Sequence, residues 1–476
     1  MPLLSEISPN VKSIQESKKK IIDRRAEEIN SETERGLVKH YKEVFDVSSG
    51  DAHGMGLKPL TFVRQVMAAC IYPSLLLDDS LPLDVRKRAQ RFLEDCEGGS
   101  IGSYPPMSGI RKALLSVSEF ITRRDGVASN PDNIIITSGS QHGMIVLLKL
   151  LVQSEGSVRT GVLSPVPCYP SFKMALSAQG AVAVPYYLCE EEGWTVQIKE
   201  LRRALHAARG HCNPMVLYII NPGNPSGHVQ SKASIEEVIR FAAEERLFLI
   251  TDEVYQSIVY GNGREFYSYK KVLSEMGSPY SNNVELASVH TVSKGAMGEC
   301  GLRSGYIELV NIDPEVMRCA RSLFAINLYV PVIGQIALDV MADPPQPGQP
   351  SYPLYAQQVQ SFQRTLTNNV QRTLEVLIGL PGITCQPIMG GIFAYARLHL
   401  SKAAIKHAKE KKLEPDLLYC LRLLEDTSLC ASPGCEFGQK EGTYHIRMCL
   451  ATPEETMEDV LQRLKSFHLR FIKEFP

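Results

Sequence analysis

The chain has 476 residues, with 51 Lys plus Arg against 52 Asp plus Glu, so no net field recommends nucleic acid, an anionic membrane surface or another polyanion as its partner. That length predicts two domains rather than one small core. Its 12 cysteines stand without a CxxC pair or a regular frame, which argues against a zinc ribbon or a secreted disulfide scaffold; free thiols and no metal site are expected.

The first residues, Met1 to Glu6, lack the apolar core of a signal peptide, and the first arginine, Arg24, stands among acids, unlike an Arg-rich transit peptide. No apolar run approaches the roughly 20 residues that span a membrane; the best, Met144 to Val152, is broken by Lys149. A cytoplasmic protein is expected, with a mitochondrial one as the alternative. Residues 9 to 45 are charged and helical in pattern, as in an arm or first helix that packs on a partner.

From about residue 130 to 310 apolar strands alternate with amphipathic helices, the pattern of a mostly parallel sheet covered on both faces. Asn133 to Thr137 reads as a strand, and Ser138-Gly139-Ser140-Gln141-His142-Gly143 leads from it into an apolar helix start. Gly161 to Ser164 reads as another strand, followed by Pro167-Cys168-Tyr169-Pro170. Ile235, Val238, Ile239 and Ala242 form a helical stripe, with Glu236, Glu237 and Arg240 on other faces. Leu247 to Thr251 is short and apolar enough to be a buried strand delivering Asp252. Pro344 to Pro350 cannot continue a helix and reads as a surface loop. Beyond it, Ile392 to Tyr395 and Tyr444 to Met448 are strand-like. Thr452-Pro453-Glu454-Glu455 opens a last helix in capping-box style, with Met457, Val460, Leu461 and Leu464 on its buried face. The expected division is an N-terminal arm and helix over 1–50 belonging to the small domain, a large α/β domain over 51–345, and a small α+β domain over 346–476.

Four segments in one order carry chemistry. Asn221 to Gly227 (Asn-Pro-Gly-Asn-Pro-Ser-Gly), Asp252-Glu253-Val254-Tyr255, and Ser293-Lys294-Gly295 with Arg303 nine positions after Lys294 follow the Gly/Ser turn at Gly139. A pyridoxal phosphate (PLP) site needs each of them. Lysine is the amine that forms a Schiff base with the cofactor aldehyde, and Lys294 fills that role. A fixed carboxylate must keep the ring nitrogen protonated, and Asp252 emerges at a strand end where α/β folds bind ligands. Asn224 and Tyr255 can hydrogen-bond the ring oxygen. Backbone N–H groups at the helix start after Gly139 make an anion site for the phosphate. Arg303 can add a bidentate contact there and Thr291 or Ser293 a hydroxyl, while Tyr169 is placed to stack on the ring. Cys300, close to Lys294, is read as packing.

On these motifs the chain resembles the fold-type I PLP-dependent aminotransferases of class I/II, over nearly its whole length from about Val47. The stretches Met297-Gly298-Glu299-Cys300-Gly301 and Glu441 to Arg447 are similar to the alanine branch of that family. The resemblance implies a fold-type I transferase with a mostly parallel central sheet covered by helices, plus a smaller α+β domain. It implies that Lys294 also shuttles a proton, that Ser140, Gln141, Thr291 and Arg303 hold the phosphate, and that Arg447 takes the substrate α-carboxylate. Gly50 would bring backbone close to the substrate, and Tyr104 would reach the phosphate of a neighbouring subunit in a homodimer with shared active sites. The implied reaction moves an amino group between L-alanine and 2-oxoglutarate. An aminotransferase for a larger or aromatic amino acid, a PLP lyase and a non-enzymatic PLP-binding protein are the alternatives.

The chain departs from the family pattern at Leu114, where Arg is usual, and at Ala296 and Leu302, where the alanine branch has Tyr. It also departs at His142, near which that branch has Asp, and at Ser304, where it has Gly. Loss of aromatic bulk beside Lys294 and Arg303 predicts a wider pocket that accepts larger amino donors than alanine.

Overall fold

The computed structural model describes residues 7–37, 43–153, 158–261, 263–326 and 329–476. The Met1 to Glu6 segment and residues 38–42 of the charged N-terminal stretch lie outside the described residues. The strands in chain order are β1 (Phe45–Asp46), β2 (Ile134–Thr137), β3 (Thr160–Val166), β4 (Val182–Tyr187), β5 (Asn213–Ile220), β6 (Phe248–Asp252), β7 (Leu286–Thr291), β8 (Gly305–Val310), β9 (Ile383–Cys385), β10 (Phe393–Leu398), β11 (Leu429–Cys430), β12 (Ser432–Pro433) and β13 (His445–Cys449).

Seven of these form one sheet in the order β2-β8-β7-β6-β5-β3-β4. All run parallel except β8, which is antiparallel to both its neighbours. The strands are continuously apolar because both faces are covered. Val162, Val216 and Ile250 point into one core with the helices Ser140–Leu151 and Pro170–Gln179; Leu163, Leu217 and Leu249, one residue along each strand, point into the opposite core with Ile198–Ala208 and Lys232–Glu245. With the strands parallel, the segments after β2, β3, β5, β6 and β7 all leave at one edge of the sheet. That edge gathers Ser140, Tyr169, Asn224, Asp252 and Lys294.

A second, antiparallel sheet, β12-β13-β10-β9, sets Arg447 opposite Tyr395. Its core draws on the helices Tyr352–Ile378, Pro415–Thr427 and Glu454–Glu474. The same core takes in Ile22 and Ile29 of the helix Lys20–Glu34, seven residues and so about two turns apart on one face. β1 also pairs in parallel with β11. The helix Lys20–Glu34 thus packs on its own chain through one face, because its two buried isoleucines find the C-terminal core.

The proline-rich loop ends at Ser351, whose N–H and hydroxyl both donate to the Asp84 carboxylate at 3.0 and 2.9 Å, and the long helix Tyr352–Ile378 starts directly after it. At the last helix the expected capping box does not form. Glu454–Glu474 has no side-chain cap, and the buried Thr452 hydroxyl donates instead to Met55 O at 3.0 Å, the acceptor its burial presents. Among the described residues no helix is long and apolar enough to cross a membrane.

Candidate active site

A cavity of about 210 Å³ opens at the shared strand edge, and Gly50, Ser140, Gln141, Tyr169, Asn224, Asp252, Tyr255, Thr291, Ser293, Lys294, Arg303 and Arg447 all line it. Twelve of the thirteen residues expected from the sequence are thus brought together. The thirteenth, Tyr104, is 81% exposed with its ring 4.9 Å from that of Tyr329, and is not among the cavity's lining residues.

Lys294 follows β7 and turns its Nζ to Gly50 O at 2.8 Å. A Cβ on residue 50 would lie 2.9 Å from that Nζ and 3.0 Å from Phe393 Cζ, so a larger residue would make the amine or the ring shift. Asp252 closes β6 and is buried; Tyr218 Oη donates to its Oδ2 at 3.0 Å and Val254 N–H to its Oδ1 at 3.4 Å. Burial pushes its carboxyl up to about 6, against the pull of the Tyr218 hydrogen bond. Such a buried anion calls for a cation, which a protonated ring nitrogen would be. Tyr255 is buried with its hydroxyl pushed up by desolvation, so it remains a neutral donor.

The phosphate end is built from backbone and one guanidinium. The helix Ser140–Leu151 begins after Gly139, whose φ of 82° lies in the glycine region, and the N–H groups of its first turn have no acceptor within the helix. A Cβ at Gly139 would stand 2.5 Å from Arg303 Nη2, so the glycine also lets Arg303 reach the helix start. Arg303 Nη1 donates to Cys300 O at 2.8 Å. The Thr291 hydroxyl lies 3.2 Å from that of Ser293 and donates to Ser304 O at 2.9 Å. Gln141 spends its side-chain amide on Ser171 O at 3.0 Å, which leaves its backbone N–H for an anion.

Arg447 comes from the other sheet. Its guanidinium carbon sits 3.9 Å from the centre of the Phe393 ring and 4.5 Å from that of Phe437. Nη1 donates to Asn224 Oδ1 at 3.1 Å, Nη2 to Ser48 O at 2.5 Å, and Nε is buried without a protein partner. Burial lowers its pKa. An unpartnered buried N–H on a charged fork is a ready place for a carboxylate.

These features fit PLP: a reachable amine, a buried carboxylate, a helix start cleared by glycine, and a carboxylate-binding fork across the cavity from them. Cys300 also lines the cavity, but burial raises its thiol and Sγ donates to Ser293 O at 3.2 Å, so it packs rather than attacks.

Two parts of the site were missed from sequence. Tyr218 lies inside an apolar strand where a tyrosine reads as core, and Phe437 sits in a loop with no periodicity. The expected widening at Ala296 and Leu302 is not met. Neither residue lines the active-site cavity; both pack against the core around Leu60, Val292 and Ile336. Ala296 instead lines a second cavity of about 310 Å³, which Lys294 and Gly295 also border. Leu114 is buried in the same core, and Ser304 is fully buried where Gly334 leaves room for it, a Cβ there falling 2.9 Å from that of Ser304.

The chain belongs to the aminotransferases of class I and II, whose family model matches residues 72–464, and it is accordingly a PLP-dependent enzyme. It is 46% identical to alanine aminotransferase 2 of Xenopus laevis over 473 residues, covering 99% of this chain and 88% of that one. To human alanine aminotransferase 1 it is 45% identical over 473 residues, 99% of this chain and 95% of the other. Glutamate–glyoxylate aminotransferase 1 of Arabidopsis thaliana is 37% identical over 444 residues, 92% of each chain. Among solved structures, an alanine aminotransferase from Pyrococcus furiosus superposes with a TM-score of 0.76 at 19% identity, over 98% of this chain and 100% of that one, which bears on the fold.

Proposed function

We propose that the protein exchanges an amino group between L-alanine and 2-oxoglutarate, giving pyruvate and L-glutamate in two half-reactions at one site. The observation that carries the L-alanine half of this reading is the inventory of cations around the cavity. Among the described lining residues these are Lys294, Arg303 and Arg447. Lys294 is needed for the cofactor aldehyde and Arg303 for the phosphate, so Arg447 is the one left for substrate. A donor with a single carboxylate and a small side chain matches that inventory. The curated relatives named alanine aminotransferase, at 44–46% identity, support the same choice.

Bound PLP supplies the aldehyde and an electron-accepting ring. The chain's own groups do the rest. Asp252 keeps the ring nitrogen protonated, and Asn224 and Tyr255 hydrogen-bond the ring oxygen. Tyr169, which lines the cavity, would stack on the ring. Ser140, Gln141, Thr291, Ser293 and Arg303 hold the phosphate. Arg447 orients the substrate carboxylate so that its Cα–H faces Lys294 Nζ, which carries the proton away and returns it. Gly50 O, already a hydrogen-bond partner of that amine, keeps it aimed.

A homodimer is part of the proposal. Tyr104, Met107 and Ile326 expose 81%, 63% and 74% of their surface, apolar area that a second copy would cover, and Tyr104 would then meet the partner's phosphate end. The division into an N-terminal arm, a large domain ending near residue 345 and a small C-terminal domain is proposed on the two separate sheets. None of the 12 cysteines is bonded to another, which supports a reducing compartment, for which we take the cytoplasm over the mitochondrion.

The test is a panel of L-alanine, L-leucine, L-phenylalanine and L-glutamate with 2-oxoglutarate, glyoxylate or pyruvate as acceptor. Highest specificity constants for the alanine and 2-oxoglutarate pair support the reading, and a preference for phenylalanine or for glyoxylate overturns it.

A further inference from the structure

Arg447 lies between two rings that are held in different ways. Phe393 belongs to β10, hydrogen-bonded to the strand that carries Arg447, so the sheet itself fixes that ring. Phe437 belongs to the loop after β12 and is 1% exposed. Its carbonyl is tied to the large sheet's side of the cavity by two donors. Cys168 N–H donates to Phe437 O at 2.9 Å, and Lys173 Nζ donates to the same oxygen.

The surroundings of that second bond are specific. Lys173 stands in the first turn of the helix Pro170–Gln179, directly after Tyr169. Gly438 has φ 79°, and a Cβ there would lie 2.5 Å from Lys173 Nζ, so any other residue would displace the ammonium. Lys173 makes no ion pair within 4 Å among the described residues, and burial is the largest influence on its ammonium, lowering its pKa. A lysine held in this way donates to one carbonyl, with Glu436 near enough to favour its charge, and that carbonyl's residue presents its ring to Arg447.

We propose that Lys173 is a positioning residue for substrate: through Phe437 O it fixes the Phe437 ring against the guanidinium of Arg447, coupling the Tyr169 loop to the carboxylate site. This rests on the reading of Arg447 as the carboxylate-binding residue. Lys173 does not line the active-site cavity, so its loss blurs the orientation of the fork and leaves the residues assigned to the cofactor in place.

The experiment uses the cofactor-loaded enzyme and the variants Lys173→Met, Lys173→Gln, Phe437→Leu, Lys173→Met with Phe437→Leu, and Arg447→Lys. Loss of a charged hydrogen bond of this kind predicts about a tenfold rise in KM for L-alanine and 2-oxoglutarate together in Lys173→Met, with kcat within about twofold and the visible spectrum of the bound cofactor unchanged. The Gln variant, a bond too short to reach Phe437 O but still polar, shows the same rise and answers the question if the Met variant does not fold. Because Lys173 acts through Phe437, the double variant is no worse than Phe437→Leu alone. Unchanged KM in a folded Lys173 variant, or effects of the two single changes that simply multiply in the double variant, overturns the proposal. Unchanged KM in Arg447→Lys overturns the underlying reading instead.

Discussion

The Tyr218 hydroxyl donates to Asp252 Oδ2 at 3.0 Å, joining two neighbouring parallel strands just beneath the cavity. Tyr218 is itself fully buried and stacks on Phe172, with ring centres 3.5 Å apart, so it cannot turn away. The bond fixes the carboxylate that would face the ring nitrogen of bound PLP. Tyr218→Phe should keep the fold and weaken PLP binding by roughly tenfold or more, the range for a buried hydrogen bond to a charged group. Fluorescence titration of the cofactor-free protein measures it; equal affinity would show that Asp252 needs no orienting partner.

Asp252 also makes a pH prediction. Its carboxyl is raised from 3.8 to about 6 by burial. Without cofactor, the folded protein therefore holds a proton that the unfolded chain has released between about pH 4 and 6, and stability falls as pH rises through that window. Asp252→Asn should remove that part of the fall, on the order of 2 kcal/mol, while greatly reducing transamination. Urea unfolding of parent and variant at pH 4 and pH 7 gives the comparison. The same slope in both proteins would mean that the carboxyl is not raised.

On the proposed roles, Lys294→Ala removes both the covalent anchor and the proton carrier. Acid–base catalysis alone contributes roughly 10²- to 10⁴-fold, so turnover should fall below about a thousandth of the parent rate, with some non-covalent PLP still bound. A variant above that level would place the base elsewhere.

Arg447→Lys should raise KM for amino acid and keto acid together, since both present an α-carboxylate and an ammonium cannot reproduce the planar fork. Steady-state kinetics of the two half-reactions decide it. A rise for one substrate only would mean that the two carboxylates bind at different residues.

Tyr at Ala296 or Leu302 should leave the ratio of specificity constants for alanine against leucine unchanged, because neither position lines the active-site cavity. Ala296→Tyr enters the second cavity, bordered by Lys294 and Met297, instead. A shift towards alanine in either variant would show that bulk there is transmitted to the substrate.

The sequence is most legible where chemistry and strand ends coincide. Lys294, Asp252, Asn224 and the Gly139 turn each follow a short apolar strand, and parallel pairing then collects them without further information. The strands β2, β6 and β13 run within a residue or so of their expected bounds, for the same reason. Contacts made across the two sheets are not legible in this way. Phe437 meets Arg447 through a loop held by Lys173, and Thr452 leaves its cap for Met55 O; both depend on which distant group folding brings near. Ala296 lines a different cavity from the expected one because nearness to Lys294 in the chain does not tell where a side chain points. The buried isoleucines of the helix Lys20–Glu34 likewise show an apolar face in sequence but not the core that receives it.

The most direct measurement is a single half-reaction. Cofactor-loaded protein is mixed with L-alanine alone, without a keto acid, and the products are quantified beside the Lys294→Ala variant. The account predicts one equivalent of pyruvate per active site, an accompanying change in the visible spectrum of the bound cofactor, reversal on adding 2-oxoglutarate, and none of these in the variant. No pyruvate, or pyruvate released continuously with free ammonia, would contradict it.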